Sequence, residues 1–243
     1  MVPAHARDAG GLRLLLAVAF AAVLVGGCST GDAARTLPGD RTTPLVYVAL
    51  GDSTVEGIGA TSPATTYVAR LHQRLRRVYP QARLVNLGVG GTTSADVLVD
   101  QLDRAVKQAP RLVTLSIGPN DITTRVPVDD YERNMETIVR RLTRETSAIV
   151  VANLVPDLAV TPRFRHHEAR PLVAQRTLQF NEALTRQARR YGVELVDLYA
   201  SSREEVPAQP ELMSRDGYHP SDAGYARWAE LMWEGVERRL GRP

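Results

Sequence analysis

Short apolar runs alternate along this chain with longer amphipathic stretches, and this alternation limits the possible folds more than any other feature. The runs are continuously hydrophobic, as is typical of strands buried on both faces of a sheet. They lie at residues 45–50, 83–87, 112–117, 148–154 and 193–198. The amphipathic stretches show the helical spacing of apolar residues. They lie at residues 67–78, 96–106, 131–145, 172–190 and 223–240. The pattern predicts an α/β fold in which helices cover a five-stranded parallel sheet.

The composition fits a globular protein with one folded domain and argues against a nucleic-acid partner. Of the 243 residues, 44% are hydrophobic and 23% are charged, which is a usual balance for a protein that buries a sizeable core. The basic residues are interspersed with acidic ones, and only 5% of residues are aromatic. A nucleic-acid surface needs grouped basic residues and, for single strands, stacking aromatics. We therefore expect no nucleic-acid ligand, and we expect the protein to act as a monomer.

The N-terminus has the features of a bacterial export signal. Arg7 and Arg13 precede an uncharged apolar run at residues 14–25, which is too short to span a bilayer comfortably but suits the core of a signal peptide. Two glycines and Cys28 follow, and this end of the run resembles the lipobox of bacterial lipoproteins. We expect Cys28, the sole cysteine, to carry a lipid that anchors the exported protein at the outer face of the cell membrane. The alternative is an ordinary secretory signal, or a short anchor, with an incidental cysteine.

This interpretation divides the chain into three parts. Residues 1–27 are expected to be a lipoprotein-type signal peptide. Residues 28–43 mix Gly, Thr, Asp, Arg and Pro without periodicity, which predicts a flexible tether. Residues 44–243 are expected to form the folded domain, with no internal repeat.

A serine follows the first predicted strand, at a position where parallel sheets carry reactive groups. Loops that leave the carboxyl ends of parallel strands converge on one crevice, and Ser53 lies in such a loop. Its hydroxyl could attack a substrate there, or it could merely cap the next helix. We assign a structural role to the neighbouring Asp52, because adjacent side chains of an extended segment point to opposite sides.

A serine nucleophile needs a general base, which is usually a histidine oriented by a carboxylate. Among the five histidines, His219 alone lies between the last predicted strand and the final helix. Asp216 lies three residues earlier, and the glycine between them allows a turn that brings its carboxylate to one ring nitrogen, leaving the other for Ser53. His166 and His167 lie in a polar stretch that we interpret as a surface loop. The alternative is a helix-entry loop that contains an aspartate and a histidine by chance.

Two further strand ends could donate hydrogen bonds to the oxyanion that forms when a hydroxyl attacks an ester carbonyl. Each such donor is worth about 2.7 to 4 kcal/mol. Residues 86–93 follow the second strand and are rich in glycine, so their backbone N–H groups can approach a substrate closely. Asn120 follows the third strand, and its side-chain amide could also donate. Either segment alone is an ordinary turn, because Gly, Pro, Asn and Asp are common turn residues.

Taken together, these loops resemble the four sequence blocks of the SGNH hydrolases, also called GDSL esterases and lipases. The matching segments occur in the family's order, at residues 51–53, 86–91, 118–121 and 216–220. The resemblance implies a flavodoxin-like three-layer α/β/α sandwich, with Ser53 as the nucleophile, His219 as its base and Asp216 as the acid that orients His219. It also implies an oxyanion hole formed by the N–H groups of Ser53 and Gly91 and by the Asn120 side chain.

Two details of the resemblance concern single residues. Gly91 is placed on the family's glycine because it lies five residues after Asn86 and two before Thr93, with Gly88 and Gly90 as alternatives. Thr54 stands where the name-giving motif has leucine, a departure that does not touch the chemistry.

The sequence therefore predicts an exported carboxylic ester hydrolase that works through an acyl-enzyme. The resemblance implies no metal and no organic cofactor, and it implies a substrate that is an ester of a small molecule, a lipid or a glycan. One alternative is an acyltransferase that uses the same three residues to pass an acyl group to a sugar or lipid. A second alternative is a non-catalytic surface binding protein that keeps the fold.

Overall fold

A sheet of five parallel strands lies at the centre of the fold. The strands are β1 (Val46–Gly51), β2 (Arg83–Asn86), β3 (Leu112–Ser116), β4 (Ile149–Asn153) and β5 (Glu194–Val196). Their order across the sheet is β2-β1-β3-β4-β5, and every neighbouring pair is parallel. This computed structural model describes residues 35–242. The direction of winding reverses between β1 and β3, so the loops at their carboxyl ends diverge and leave a crevice there.

Helices cover both faces of the sheet. They are α1 (Ser53–Glu56), α2 (Tyr67–Val78), α3 (Ser94–Asp96), α4 (Leu102–Lys107), α5 (Pro119–Thr123), α6 (Val128–Glu145), α7 (Arg170–Tyr191), α8 (Leu198–Ala208) and α9 (Asp222–Glu237). Short 3-10 turns occur at Pro63–Thr65, Leu158–Val160 and Pro210–Leu212. The apolar faces of α2 and α9 pack on one side of the sheet, and those of α4, α6 and α7 pack on the other. The predicted three-layer α/β/α sandwich is therefore confirmed.

The strands at the two edges differ from the prediction of burial on both faces. Arg83 and Asn86, at the ends of β2, are exposed, and Glu194 of β5 is half-buried in ion pairs with Arg238 and Arg239. An edge strand has a neighbour on one side only, so its residues need not be hydrophobic throughout. The prediction is wrong for β2 and β5, whereas β1, β3 and β4 are buried along nearly their whole length.

The helix predicted at residues 96–106 is interrupted. A π-helical turn at Val97–Gln101 separates α3 from α4. A π turn inserts one residue and shifts the following side chains around the helix axis. Here Val97, Gln101, Leu102 and Ala105 all become buried.

The predicted tether is not free over its whole length. Leu37 is buried, its N–H donates to the Arg239 carbonyl, and its own carbonyl accepts from Gly241. The Arg41 guanidinium donates to the hydroxyl of Tyr79 and to the carbonyl of Gly241. The boundary of the folded domain therefore lies before Leu37 rather than at residue 44, because this segment completes the packing around the end of α9.

The expected signal peptide and Cys28 lie outside the described residues. Within residues 35–242, no helix is both long and apolar enough to cross a membrane.

Candidate active site

Ser53 lies at the carboxyl edge of the sheet, in the turn from β1 to α1. The turn requires Gly51, whose φ is +144° and whose missing Cβ would lie 1.9 Å from the carbonyl oxygen of Ser116. Asp52 caps α1, because its Oδ1 accepts hydrogen bonds from the backbone N–H and the hydroxyl of Thr54, at 2.9 and 2.8 Å. Gly51 and Asp52 thus fix the backbone on the N-terminal side of the serine.

A further side-chain contact that holds this turn was not predicted from the sequence. The buried side chain of Gln101 accepts from the Gly51 N–H at 2.9 Å and donates to the Gly51 carbonyl at 2.8 Å. Gln101 is the last residue of the π-helical turn, so the extra residue of that turn aims the amide at Gly51. A buried glutamine inside an otherwise apolar helix face was the available signal.

The structure brings Ser53, His219 and Asp216 together in one chain of hydrogen bonds. Ser53 Oγ lies 2.9 Å from His219 Nε2, and His219 Nδ1 lies 2.6 Å from Asp216 Oδ2. A carboxylate only accepts, so Nδ1 carries the ring proton and Nε2 is free to accept from the serine hydroxyl. This arrangement can move a proton from a hydroxyl to an imidazole, as required to activate a serine nucleophile.

The Asp216 carboxylate is held by its own loop. Its Oδ1 accepts from the Ser214 hydroxyl and from the N–H groups of Tyr218 and His219, at 2.7 to 2.9 Å. Partial burial acts to raise the pKa of Asp216, but these bonds and the one from the His219 ring outweigh it and hold that pKa well below its usual range. Asp216 therefore stays ionised at neutral and mildly acidic pH.

The other acids near these strand ends are engaged elsewhere. Asp52 caps α1, and Asp197 caps α8 by accepting from the Ala200 N–H at 2.9 Å. The Asp121 carboxylate accepts hydrogen bonds from both the backbone N–H and the hydroxyl of Ser94. Asp216 is thus the acid that the structure brings to the ring of His219.

Within the described part of the chain, one N–H of the glycine-rich segment, residues 86–93, has no hydrogen-bond acceptor. The N–H groups of Gly88 and Gly90 donate to the side chains of Asn86 and Glu56, at 2.9 and 2.6 Å. Those of the other residues between 88 and 94 also have acceptors. Among the residues the structure describes, Gly91 N–H has no acceptor, and its φ of +80° directs the chain there into a conformation that favours glycine. Gly88 and Gly90 are therefore poor candidates for an oxyanion donor.

Asn120 is tied to the same loop. One of its two Nδ2 hydrogens donates to the Thr92 carbonyl at 2.8 Å, which leaves the other available. The next residue, Asp121, is fully buried and holds Ser94 through the Ser94 hydroxyl at 2.6 Å. Burial raises the pKa of Asp121 against these hydrogen bonds. The two side chains together hold the loop after β2 against the loop after β3.

Burial also perturbs Asp52. Its side chain is 1% exposed, and its Oδ2 has no hydrogen-bond partner among the described residues. Desolvation raises the pKa of Asp52 to about 6, although the hydrogen bonds from Thr54 oppose the shift. The group is therefore a buried carboxyl next to the serine that titrates near neutral pH.

A cavity of about 100 Å³ opens beside Ser53 and His219. Its walls are formed by α8, by α9 and by residues 156–161. Helix α8 was not predicted, because it buries only Leu198 and contains Pro207, and so lacks an amphipathic pattern. His166 and His167 are exposed and lie away from these walls. Within residues 35–242, no group of three or more His, Cys, Asp or Glu side chains could hold a metal ion.

Residues 49–227 match the model of the GDSL-like lipase/acylhydrolase family. A GDSL-like esterase of Mycobacterium tuberculosis is 32% identical over 197 residues, which are 78% of this chain and 61% of that protein. The chain thus spans about three-fifths of the length of that relative. The esterase TesA of Pseudomonas aeruginosa is 23% identical over 90% of this chain and 99% of that protein.

Solved structures show the same fold. An acetylxylan esterase of Geobacillus stearothermophilus aligns with a TM-score of 0.64 and 20% identity, over 81% of this chain and 96% of that one. An α/β hydrolase from the metagenome of Lake Arreo aligns with a TM-score of 0.65 and 23% identity, over 81% of this chain and 97% of that one. At these identities the likeness concerns the fold.

Proposed function

The chain belongs to the GDSL-like lipase/acylhydrolase family, and on that premise we propose that it is a serine ester hydrolase. In this proposal Ser53 is the nucleophile, His219 is its general base, and Asp216 orients His219. The observation that carries the proposal is the 2.9 Å separation of Ser53 Oγ from His219 Nε2, at the carboxyl edge of the sheet. That distance suits direct proton transfer.

The reaction proceeds in two halves. As Ser53 Oγ attacks the ester carbonyl carbon, its proton passes to His219 Nε2, and a tetrahedral oxyanion forms. The bond from the carbonyl carbon to the alcohol oxygen then breaks as His219 gives its proton to that oxygen. The alcohol leaves, and the acyl group remains on Ser53 as an ester. In the second half, a water loses a proton to His219 and attacks the acyl carbon. Ser53 leaves with the proton from His219, and the carboxylic acid is released.

The oxyanion needs donors that are in place before the reaction begins. The N–H groups of Ser53 and Gly91 have no acceptor among the described residues, and Asn120 retains one free amide hydrogen. We assign these three groups to the oxyanion hole. The Thr92 carbonyl ties the loop of Gly91 to Asn120, and the Glu56 carboxylate of α1 accepts from the Gly90 N–H, so little reorganisation is needed when the charge develops.

Hydrolysis requires that water reach the imidazole after the alcohol has left. The side chains of His219 and Asp216 are 16% and 45% exposed, so this side of the site faces solvent. This exposure favours water as the acceptor over a bound sugar or lipid. An acyltransferase would instead yield mainly transferred product when an alcohol acceptor is supplied.

We also propose that the protein is exported and anchored through a lipid on Cys28. The support comes from the sequence alone, namely the apolar run at residues 14–25 followed by the sole cysteine. Substrates would then be met at the outer face of the cell membrane.

A serine-directed fluorophosphonate probe tests the proposed nucleophile. We expect the parent to be labelled at Ser53, and Ser53→Ala to lose both labelling and ester turnover. Ser147→Ala, at an exposed loop serine, is the matched control and should keep both. Peptide mapping that places the probe on another serine would contradict the assignment. Product analysis with and without added alcohol separates hydrolysis from transfer.

A further inference from the structure

The cavity beside Ser53 is lined mainly by hydrocarbon. Leu158, Leu198 and Leu212 contribute to its walls, with Trp228 and Leu231 from α9. Leu198 and Trp228 are at least nine-tenths buried, and Leu231 is half-buried. Ser53 and His219 lie at one side of the same cavity, so a group covalently attached to Ser53 Oγ can extend into it.

Most polar side chains in the walls are already engaged, and two that lack a partner among the described residues, the Tyr218 hydroxyl and the Trp228 Nε1–H, are buried. The Thr161 hydroxyl donates to the Leu158 carbonyl at 2.7 Å. The Ser202 hydroxyl accepts from the Asp157 N–H at 2.8 Å and donates to the Tyr199 carbonyl at 3.0 Å. A sugar placed here would exchange its hydrogen bonds to water for few or none, which is costly. A hydrocarbon chain has no such loss.

An ion pair joins the two helices that enclose the cavity. Arg227 of α9 binds the Glu205 carboxylate of α8 through Nε and Nη2, at 2.8 to 3.1 Å. Both side chains also line the cavity. Helix α8 buries only Leu198, so it depends on this pair for its contact with α9 and on the Ser202 hydroxyl, which accepts from the Asp157 N–H, for its contact with residues 156–161. The shape of the cavity therefore depends on the ion pair between Arg227 and Glu205.

We propose, on the basis of the proposed ester hydrolysis, that this cavity binds the acyl chain and selects esters of straight-chain acids longer than acetate. An acetyl group would leave most of the cavity empty. The acyl part is favoured over the alcohol part because the place vacated by the alcohol must admit water next to His219 in the second half-reaction. That place belongs on the exposed side of His219 rather than in a cavity walled by hydrocarbon.

A series of p-nitrophenyl esters tests this assignment. From acetate through butyrate to hexanoate, we expect kcat/KM to rise by about fourfold for each added methylene, since each buried methylene contributes about 0.8 kcal/mol. A matched series of acetate esters of ethanol, butanol and hexanol should show no such rise. A flat acyl series, or a steeper alcohol series, overturns the proposal.

Variants that fill the cavity provide a second readout. Leu231→Trp on α9 and Val206→Trp on α8 should each lower kcat/KM for the hexanoate ester by tenfold or more, and change that for the acetate ester by less than twofold. Leu178→Trp, on an exposed part of α7 outside the cavity, is the control. Circular dichroism checks that each variant is folded. Because the two substitutions lie on different helices, one variant still tests the proposal if the other does not fold. Equal losses for acetate and hexanoate count against the proposal.

The result also separates this inference from the proposed function. Active protein that labels with fluorophosphonate but prefers acetate refutes only the acyl pocket. Folded protein that neither labels nor turns over any ester refutes the hydrolase itself, and the pocket assignment with it.

Discussion

At the scale of single residues, Asp216 has the most sharply defined role. Its carboxylate accepts the His219 Nδ1–H, which fixes the tautomer, and in the proposed reaction it balances the charge of the imidazolium. We expect Asp216→Asn to lower kcat by roughly 10²- to 10⁴-fold with little change in KM, because substrate binding is untouched. Steady-state kinetics on folded protein measure this.

The control for Asp216 is Asp197→Asn, at the acid that caps α8. It should retain kcat on the acetate ester within a few fold. The opposite pattern, with near-parental kcat for Asp216→Asn and collapse for Asp197→Asn, would move the acid role away from Asp216. Because the pKa of Asp216 lies well below its usual range, titration of this carboxyl should not shape the rate between pH 5 and 8.

Asp52 gives a second prediction, on the pH dependence of stability. Its raised pKa of about 6 means that the folded protein binds this proton more tightly than the unfolded chain does. The resulting stability, about 3 kcal/mol, is fully present below pH 3.8 and is lost as the pH rises through 6. Asp52→Asn keeps the Oδ1 cap but cannot ionise. Its free energy of unfolding relative to the parent should therefore increase by about 2 kcal/mol from pH 4 to pH 8, since part of the total is already lost at pH 4.

Urea unfolding at the two pH values measures the effect, with Asp222→Asn as the control. Hydrogen bonds from Thr61 and Thr65 lower the pKa of Asp222, so its substitution should have the opposite sign of pH dependence. A free-energy difference between Asp52→Asn and the parent that does not change with pH would show that Asp52 titrates normally.

At the scale of elements, the π-helical turn is the feature that connects packing to the candidate site. It aims the buried Gln101 amide at both backbone groups of Gly51. Gln101→Met keeps the volume but leaves the buried Gly51 N–H without an acceptor, while the Gly51 carbonyl still accepts from the Val89 N–H. We therefore expect a loss of about 1 to 3 kcal/mol in the free energy of unfolding. The turn before Ser53 should also loosen and lower kcat. Gln179→Met, at an exposed residue of α7, should have little effect on either quantity. An equally stable Gln101→Met protein would contradict the role given to the Gln101 amide.

The same elements explain how far the sequence alone could go. The strands and long helices were predictable because parallel strands are apolar runs and packed helices repeat every 3.6 residues; α2 has the predicted bounds. The π turn breaks that period, and α8 is pinned mostly by Glu205 and Ser202 rather than by an apolar face. The acyl cavity was therefore hidden from the sequence. The spacing to Asn86 and Thr93 was enough to choose Gly91, whereas the bonding that makes Gly88 and Gly90 poor donors is visible only in the structure.

At the scale of the whole molecule, the carboxyl and amino ends of the strands carry different parts of the structure. The carboxyl edge carries Ser53, His219 and the donor loops, whereas the segment around Leu37 packs at the far ends of α2 and α9, against Tyr79 and Arg239. The segment around Leu37 therefore lies at the amino edge, away from the crevice.

The proposed lipid anchor on Cys28 gives a prediction at the scale of the whole molecule. A stable anchor needs more than one acyl chain, as lipoprotein cysteines usually carry, so the parent should fractionate with membranes and Cys28→Ala should be released. Because Cys28 has no role in the proposed reaction, both forms should hydrolyse a water-soluble butyrate ester with kcat/KM equal within about twofold. Fractionation followed by assay of each fraction, with mass spectrometry of the parent for a lipid, measures both outcomes. Identical fractionation without any lipid on the parent refutes the anchor, and a large rate difference between the two forms refutes the independence of anchor and site.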